Sequence, residues 1–203
     1  MNRSHDETST ALLSAAHRLL AESGPESLTV RRIATEAGMS TMNVYSRFGG
    51  KDGVIDELYA DGYRRLIAAI EAVPVTDDIP ADLEHVAHAY RDFAIQNPTY
   101  YSIMFQSAMH QFEPSQTSVE LGLSSLNAFV DRVEAGQAAG TIITPSDCSA
   151  VDIAAWLWAT CHGLISLELD HVGVELVSWP TIFEAGIRTT IAALRPAVAA
   201  STV

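Results

Sequence analysis

Between Thr29 and Lys51 the chain concentrates side chains that can hydrogen-bond to a flat polar edge and side chains that can hold an anion. Thr41, Met42, Asn43 and Ser46 supply two hydroxyls, a carboxamide and a thioether within six residues. An Asn carboxamide can pair with adenine through one donor and one acceptor, hydroxyls can contact either kind of base edge, and Met can touch a thymine methyl. Around these stand Thr29, Arg31, Tyr45, Arg47 and Lys51, which are donors suited to phosphate oxygens. Lys51 is the only lysine in 203 residues. It follows Gly49-Gly50 directly, where the free backbone N–H groups of a helix start would gather.

Side chains of this kind read a groove only if one short helix presents them outward while a second helix braces it. The spacing supplies that support. Thr29 is placed to cap a helix containing Val30, Ile33, Ala34 and Ala37, and Gly38 sits where a left-handed turn is needed. Ser40 is placed to cap the next helix, which carries Val44, Tyr45 and Phe48. Met39 and Val44 would fill the angle between the two, leaving Thr41, Met42, Asn43 and Ser46 outward. The same spacing is also compatible with three short helices of an ordinary bundle whose arginines solvate its faces.

Charge is divided unevenly. The chain carries a net −13, but residues 1–65 hold eight Lys+Arg against nine Asp+Glu, while residues 66–203 hold four against sixteen. The two parts therefore carry −1 and −12. Two thirds of the positive charge lies in the first third of the sequence, which suits one end for phosphate and leaves a body that repels it.

The segment resembles the DNA-binding domain of the TetR family of bacterial regulators, on Thr29-Val30, Ile33-Ala34, Ala37-Gly38-Met39-Ser40, Tyr45, Phe48 and Lys51. With the helix before it, the likeness covers about residues 8–55. It implies an all-helical homodimer, two half-sites of a palindromic DNA operator, and release from DNA by a small apolar or amphipathic effector. Thr41, Met42, Asn43 and Ser46 then fall at base-reading positions, and Tyr45, Arg47 and Lys51 at backbone-clamping ones. The sequence departs from the family pattern at Thr41, often basic; at Met42, often Gly; at Arg47, often His; and at Gly53, usually a large apolar residue. Further on, Asn97-Pro98-Thr99-Tyr100-Tyr101-Ser102-Ile103-Met104-Phe105 and Trp156 through His162-Gly163 resemble the Trp-His-Gly subgroup of the family's C-terminal domains.

Apolar residues recur at helical spacing nearly throughout, and no stretch alternates long enough for a sheet. The expected architecture is all-α: a three-helix DNA-binding domain over 1–55 and a helical bundle over 56–203 for ligand binding and dimerisation. A first helix carries Leu12, Leu13, Ala15, Ala16, Leu19 and Leu20 and stops at Gly24-Pro25; a long helix runs from Lys51 through Ile70. Pro74 to Pro80 reads as a connector, and helices are expected near 81–96, 99–111, 117–139, 146–170 and 179–194. The uncharged run Ile153–Leu167 is shorter than the roughly 20 residues of a membrane span, and the polar start suggests no signal peptide. A cytoplasmic protein is expected.

Eleven of fifteen aromatics follow residue 65. Tyr90, Phe93, Tyr101, Met104, Phe105, Phe129, Trp156 and His162 are the candidates for a ligand pocket, with Gln106 as a further polar group and Met109 in the same apolar inventory. A stripe of this kind equally suits a plain core. Ala155, Gly163, Ile187, Ile191 and Leu194 are candidates for a dimeric four-helix bundle, though that stripe too can be buried within one subunit. His85, His88 and Asp92 share a helix face but lack a fourth ligand, so no metal and no cofactor is expected. If Cys148 and Cys161 lie on one helix, they stand too far apart along it to pair, and buried reduced thiols are expected. Gly49-Gly50-Lys51-Asp52 lacks the spacing and the following Ser/Thr of a nucleotide-binding loop, and no nucleophile motif is visible, which disfavours an enzyme. A helical adaptor without DNA binding is the remaining alternative.

Overall fold

A computed structural model describes residues 6–105 and 112–196. The described residues form nine α-helices and no strand: α1 (Glu7–Ser23), α2 (Val30–Glu36), α3 (Thr41–Phe48), α4 (Lys51–Glu71), α5 (Ile79–Gln96), α6 (Pro98–Phe105), α7 (Gln116–Ala138), α8 (Ala150–Leu169) and α9 (Trp179–Ala192). The helix expected over 99–111 is described only to Phe105, so Gln106 and Met109 lie outside the described residues. The one expected at 146 begins instead at Ala150, because Ser149 and Asp152 form a reciprocal capping box. A 3₁₀ turn over Pro25–Ser27, which the helical periodicity does not announce, follows α1.

By contact the chain forms two compact units. One comprises residues 1–64 with 97–122, and the other 65–96 with 123–203. The division falls inside α4, between Arg64 and Arg65.

In the first unit α1 buries Leu12, Ala15, Ala16, Leu19 and Leu20 as one stripe, and α2 adds Ile33 and Ala34 to it. Its turns are held by buried polar contacts. The Ser27 hydroxyl donates to the carbonyl of Leu19 at 2.9 Å and lies 2.6 Å from that of Gly24. α6 is seated by the Tyr100 hydroxyl, which donates to Asp61 on α4 at 2.7 Å, while the Tyr100 ring lies 4.7 Å from that of His17 on α1.

In the second unit two rows of α8 lie on nearly opposite faces. Ile153, Leu157, Cys161 and Ile165 are buried, whereas Val151, Ala159, Gly163 and Leu167 are exposed and Ala155 half-exposed. The rows are offset by two residues, about 200° around a helix. The buried row packs with α5 and with Phe183, Ile187 and Ile191 of α9. A bidentate pair from Arg91 on α5 to Glu168 on α8, with one arm at 2.8 Å, lies at the edge of this core, and the guanidinium stands 5.5 Å from the ring centre of Phe183.

Candidate nucleic-acid interface

The scaffold of the interface is set by local punctuation. Thr29 accepts a hydrogen bond from the Arg32 backbone N–H at 3.2 Å, which starts α2. Gly38 ends the turn at φ +67°, with no atom near a would-be Cβ; glycine is needed there for its backbone rather than for space. Met39 closes the turn by donating its N–H to Ala34 at 2.8 Å. Ser40 occupies the N-cap of α3, but its side chain makes no capping hydrogen bond, contrary to the sequence expectation. Its hydroxyl oxygen accepts instead from the Asn43 amide at 3.4 Å.

α3 anchors through Val44, which is fully buried, and turns its other side to solvent. Thr41, Met42, Tyr45 and Ser46 are exposed; Met42 is 70 % and Tyr45 55 % accessible. Asn43 is half-buried, and its carbonyl accepts the Ser46 hydroxyl at 3.2 Å.

At the far end Gly49 takes a left-handed conformation (φ +75°) and donates to the Tyr45 carbonyl, ending α3. Lys51 then opens α4, exposed, at a helix start whose first N–H groups have no intrahelical acceptor. α4 approaches α3 so closely that a Cβ on Gly53 would lie 1.7 Å from the carbonyl oxygen of Phe48. This gives a physical reason for glycine where the family places a large apolar residue.

Thr29, the N-cap of α2, and Arg31, in its first turn, are exposed. Arg47, in the last turn of α3, is gripped by the carboxylate of Asp6, with Nε at 3.2 Å from Oδ1 and a terminal nitrogen at 2.7 Å from Oδ2. Asp6 Oδ1 also accepts the Ser9 N–H at 2.8 Å as the N-cap of α1. These contacts, the Ser9 hydrogen bonds foremost, hold the Asp6 carboxyl below the usual carboxylate range. Sequence reasoning missed this pair: 41 residues separate the partners, and its only local trace is an Asp three residues before Ser9.

The proposed pocket residues divide between the two units. Tyr101, Met104 and Phe105 lie in the first, and Tyr90, Phe93, Phe129, Trp156 and His162 in the second. Tyr90, Phe93, Tyr101, Met104 and Phe129 are buried, Phe105 and His162 half-buried. Trp156 departs from the sequence reading of an interior side chain: it is 44 % exposed on α8. The second unit contains a cavity of about 400 Å³ whose walls include Ile67, Ile70, Val73, Ser124, Ala128 and Arg132, and none of the eight candidates. Burial lowers the His162 pKa below its ordinary 6.5, and its ring stacks on Trp158 at 5.4 Å.

Three dimer candidates are also corrected. Ile187, Ile191 and Leu194 are at most 4 % exposed within the single chain, so they face its own core and offer no surface to a partner. Of the five, Gly163 is exposed and Ala155 half-exposed. Among the described residues no group of three His, Cys, Asp or Glu side chains is arranged to hold a metal; His88 faces Glu184 at 3.1 Å instead.

Comparison with known proteins agrees with this arrangement. Residues 12–58 match the domain described as bacterial regulatory proteins, tetR family, and residues 83–198 match the tetracyclin repressor-like C-terminal domain. The HTH-type transcriptional regulator Rv1816 of Mycobacterium tuberculosis is 25 % identical over 217 residues, covering 93 % of each chain. A solved Rhodococcus sp. RHA1 protein of unknown function superposes with a TM-score of 0.81 at 27 % identity, covering 97 % of this chain and 100 % of that one. A bacterial regulatory protein of the tetR family from Rhodococcus RHA1 gives 0.74 at 19 %, covering 96 % and 100 %. The chain belongs to the tetR family of bacterial regulatory proteins. It is a helix-turn-helix, DNA-binding transcription regulator and not an enzyme.

Proposed function

We propose that the chain is a cytoplasmic, ligand-responsive repressor that binds a palindromic operator as a homodimer and is released by a small apolar or amphipathic molecule. In this reading residues 1–55 contact DNA, and residues 56–203 bind the effector and dimerise. Thr41, Met42, Asn43 and Ser46 read base edges, while Thr29, Arg31, Tyr45, Arg47 and Lys51 contact phosphates. The observation that carries it is the outward face of α3: Thr41, Met42 and Ser46 are exposed and Asn43 is half-buried around one buried anchor, Val44. α8 is long and apolar enough by composition to cross a membrane, but Glu168 is held by Arg91 and the helix lies within the matched C-terminal domain, which favours a bundle helix.

The test separates the two classes of contact. Lys51→Ala should weaken binding to every duplex and shallow the dependence of log K on log salt by about one unit per subunit, about two for the dimer, as expected for one lost phosphate contact in each half-site. Asn43→Ala should leave that slope alone and relax preference at one base position of the operator selected from a random pool, by about 1–3 kcal/mol. If Lys51→Ala changes sequence preference and Asn43→Ala does not, the assignments are wrong.

A further inference from the structure

The Asp6–Arg47 pair puts a carboxylate where the proposed function puts a phosphate. A guanidinium presents its N–H groups as a planar fork that fits a carboxylate or a phosphate in the same two-pronged way. In the structure one prong pair, Nε and a terminal nitrogen, is closed on Asp6 Oδ1 and Oδ2. The grip is not an idle surface encounter, because Asp6 is held from both sides: its Oδ1 also caps α1 through the Ser9 N–H. The carboxylate is thus fixed at the end of one helix and reaches the last turn of another.

We propose that Asp6 acts as a built-in phosphate mimic: it occupies the anion-binding edge of Arg47 in the free protein and must yield that edge to the DNA backbone on binding. The inference rests on the reading of Arg47 as a phosphate contact. Its consequence is a brake on affinity. Arg47 enters the encounter already neutralised, and the displaced carboxylate is left close to a polyanion. Side chains that are 31 % and 56 % exposed make the exchange cheap enough to occur, since ion pairs of that exposure are weak. The brake acts on every duplex alike, because a phosphate seat holds no sequence information.

Asp6→Asn is the informative variant, because Asn caps a helix as well as Asp does and removes only the charge. Asp6→Ser caps equally and is too short to reach the guanidinium, so it serves if Asn folds poorly. Binding to a pool of random-sequence duplex is measured at fixed salt for wild type, Asp6→Asn, Glu7→Gln, Arg47→Gln and the Asp6→Asn/Arg47→Gln double variant. Glu7→Gln removes the same charge one residue away. Asp6→Asn should tighten binding about two- to fivefold per subunit beyond Glu7→Gln, and the gain should vanish in the Arg47→Gln background. Equal effects of Asp6→Asn and Glu7→Gln, or a gain that survives without Arg47, would overturn the proposal while leaving the DNA-binding function intact. Weaker binding by Asp6→Asn would overturn it too, by showing that Asp6 positions Arg47 for DNA instead of covering it. A wild type with no salt-dependent binding to any duplex would overturn both readings together.

Discussion

His162 shows how a single side chain can carry a measurable signature of its surroundings. It is half-buried and stacked on Trp158, and burial lowers its pKa below 6.5. A histidine with a depressed folded pKa favours the folded state fully above the unfolded pKa, and that advantage is lost as pH falls below it, because the unfolded chain takes up the proton first. Thermal stability should therefore drop as pH falls through about 6.5, and His162→Gln should flatten that drop, as followed by melting midpoints on either side of it. Identical pH profiles for the two proteins would remove His162 from the account. The sequence shows that a histidine sits in an uncharged run; it does not show how much solvent reaches it, because this depends on how the helix is turned in its bundle. The same limit applies to Arg47. Its type and place mark it as an anion binder, but its partner lies 41 residues away and comes close only when α1 and α3 are packed.

The helices themselves were legible wherever punctuation is local. Gly38 and Gly49 take the left-handed conformations that their positions demand, and Thr29 caps α2 as its residue type requires. The Pro74–Pro80 connector is shorter than its prolines suggest: Pro74 lies between helices, but Pro80 falls in the first turn of α5, where its missing N–H costs no hydrogen bond. What a helix packs against was harder to see. Ile187, Ile191 and Leu194 repeat at a spacing that fits a dimer seam and an internal core equally, and the structure assigns them to the core of their own chain. Trp156 fails in the opposite direction: an aromatic in an apolar run reads as interior, yet it faces out. Gly53 is the clearest element-level case, because its reason is a backbone approach with no sequence trace. Gly53→Ala would place a methyl group against the Phe48 carbonyl, so α3 and α4 must part. We expect a loss of about 1–3 kcal/mol in stability by denaturant unfolding, together with weakened DNA binding. A variant as stable as wild type would mean that the α3–α4 junction relaxes freely.

Across the molecule, the charge split and the exposed row of α8 belong to one design. A body carrying −12 is repelled by phosphate, so the nearly neutral first third must be turned toward DNA for binding to succeed. On the proposed function two such ends are needed for a palindrome, and we propose that the exposed row Val151, Ala155, Ala159, Gly163 and Leu167 is the surface on which two copies of α8 approach. Ala159→Arg puts a charged side chain in the middle of that row while leaving the opposite, buried row untouched. It should convert a dimer to a monomer in sedimentation and lower operator affinity by at least about tenfold, with the helical circular dichroism unchanged. A variant that remains dimeric would move the interface elsewhere.

The lone lysine has a practical consequence as well. Lys51 is the chain's single side-chain amine, and it stands exposed at the mouth of α4. Reagents that acylate amines therefore find one side-chain target among these 203 residues. A dye attached there would report from the α3–α4 junction without any engineered residue. Acylation at this one position would also erase a positive charge in a way that mass spectrometry reads as a single discrete step.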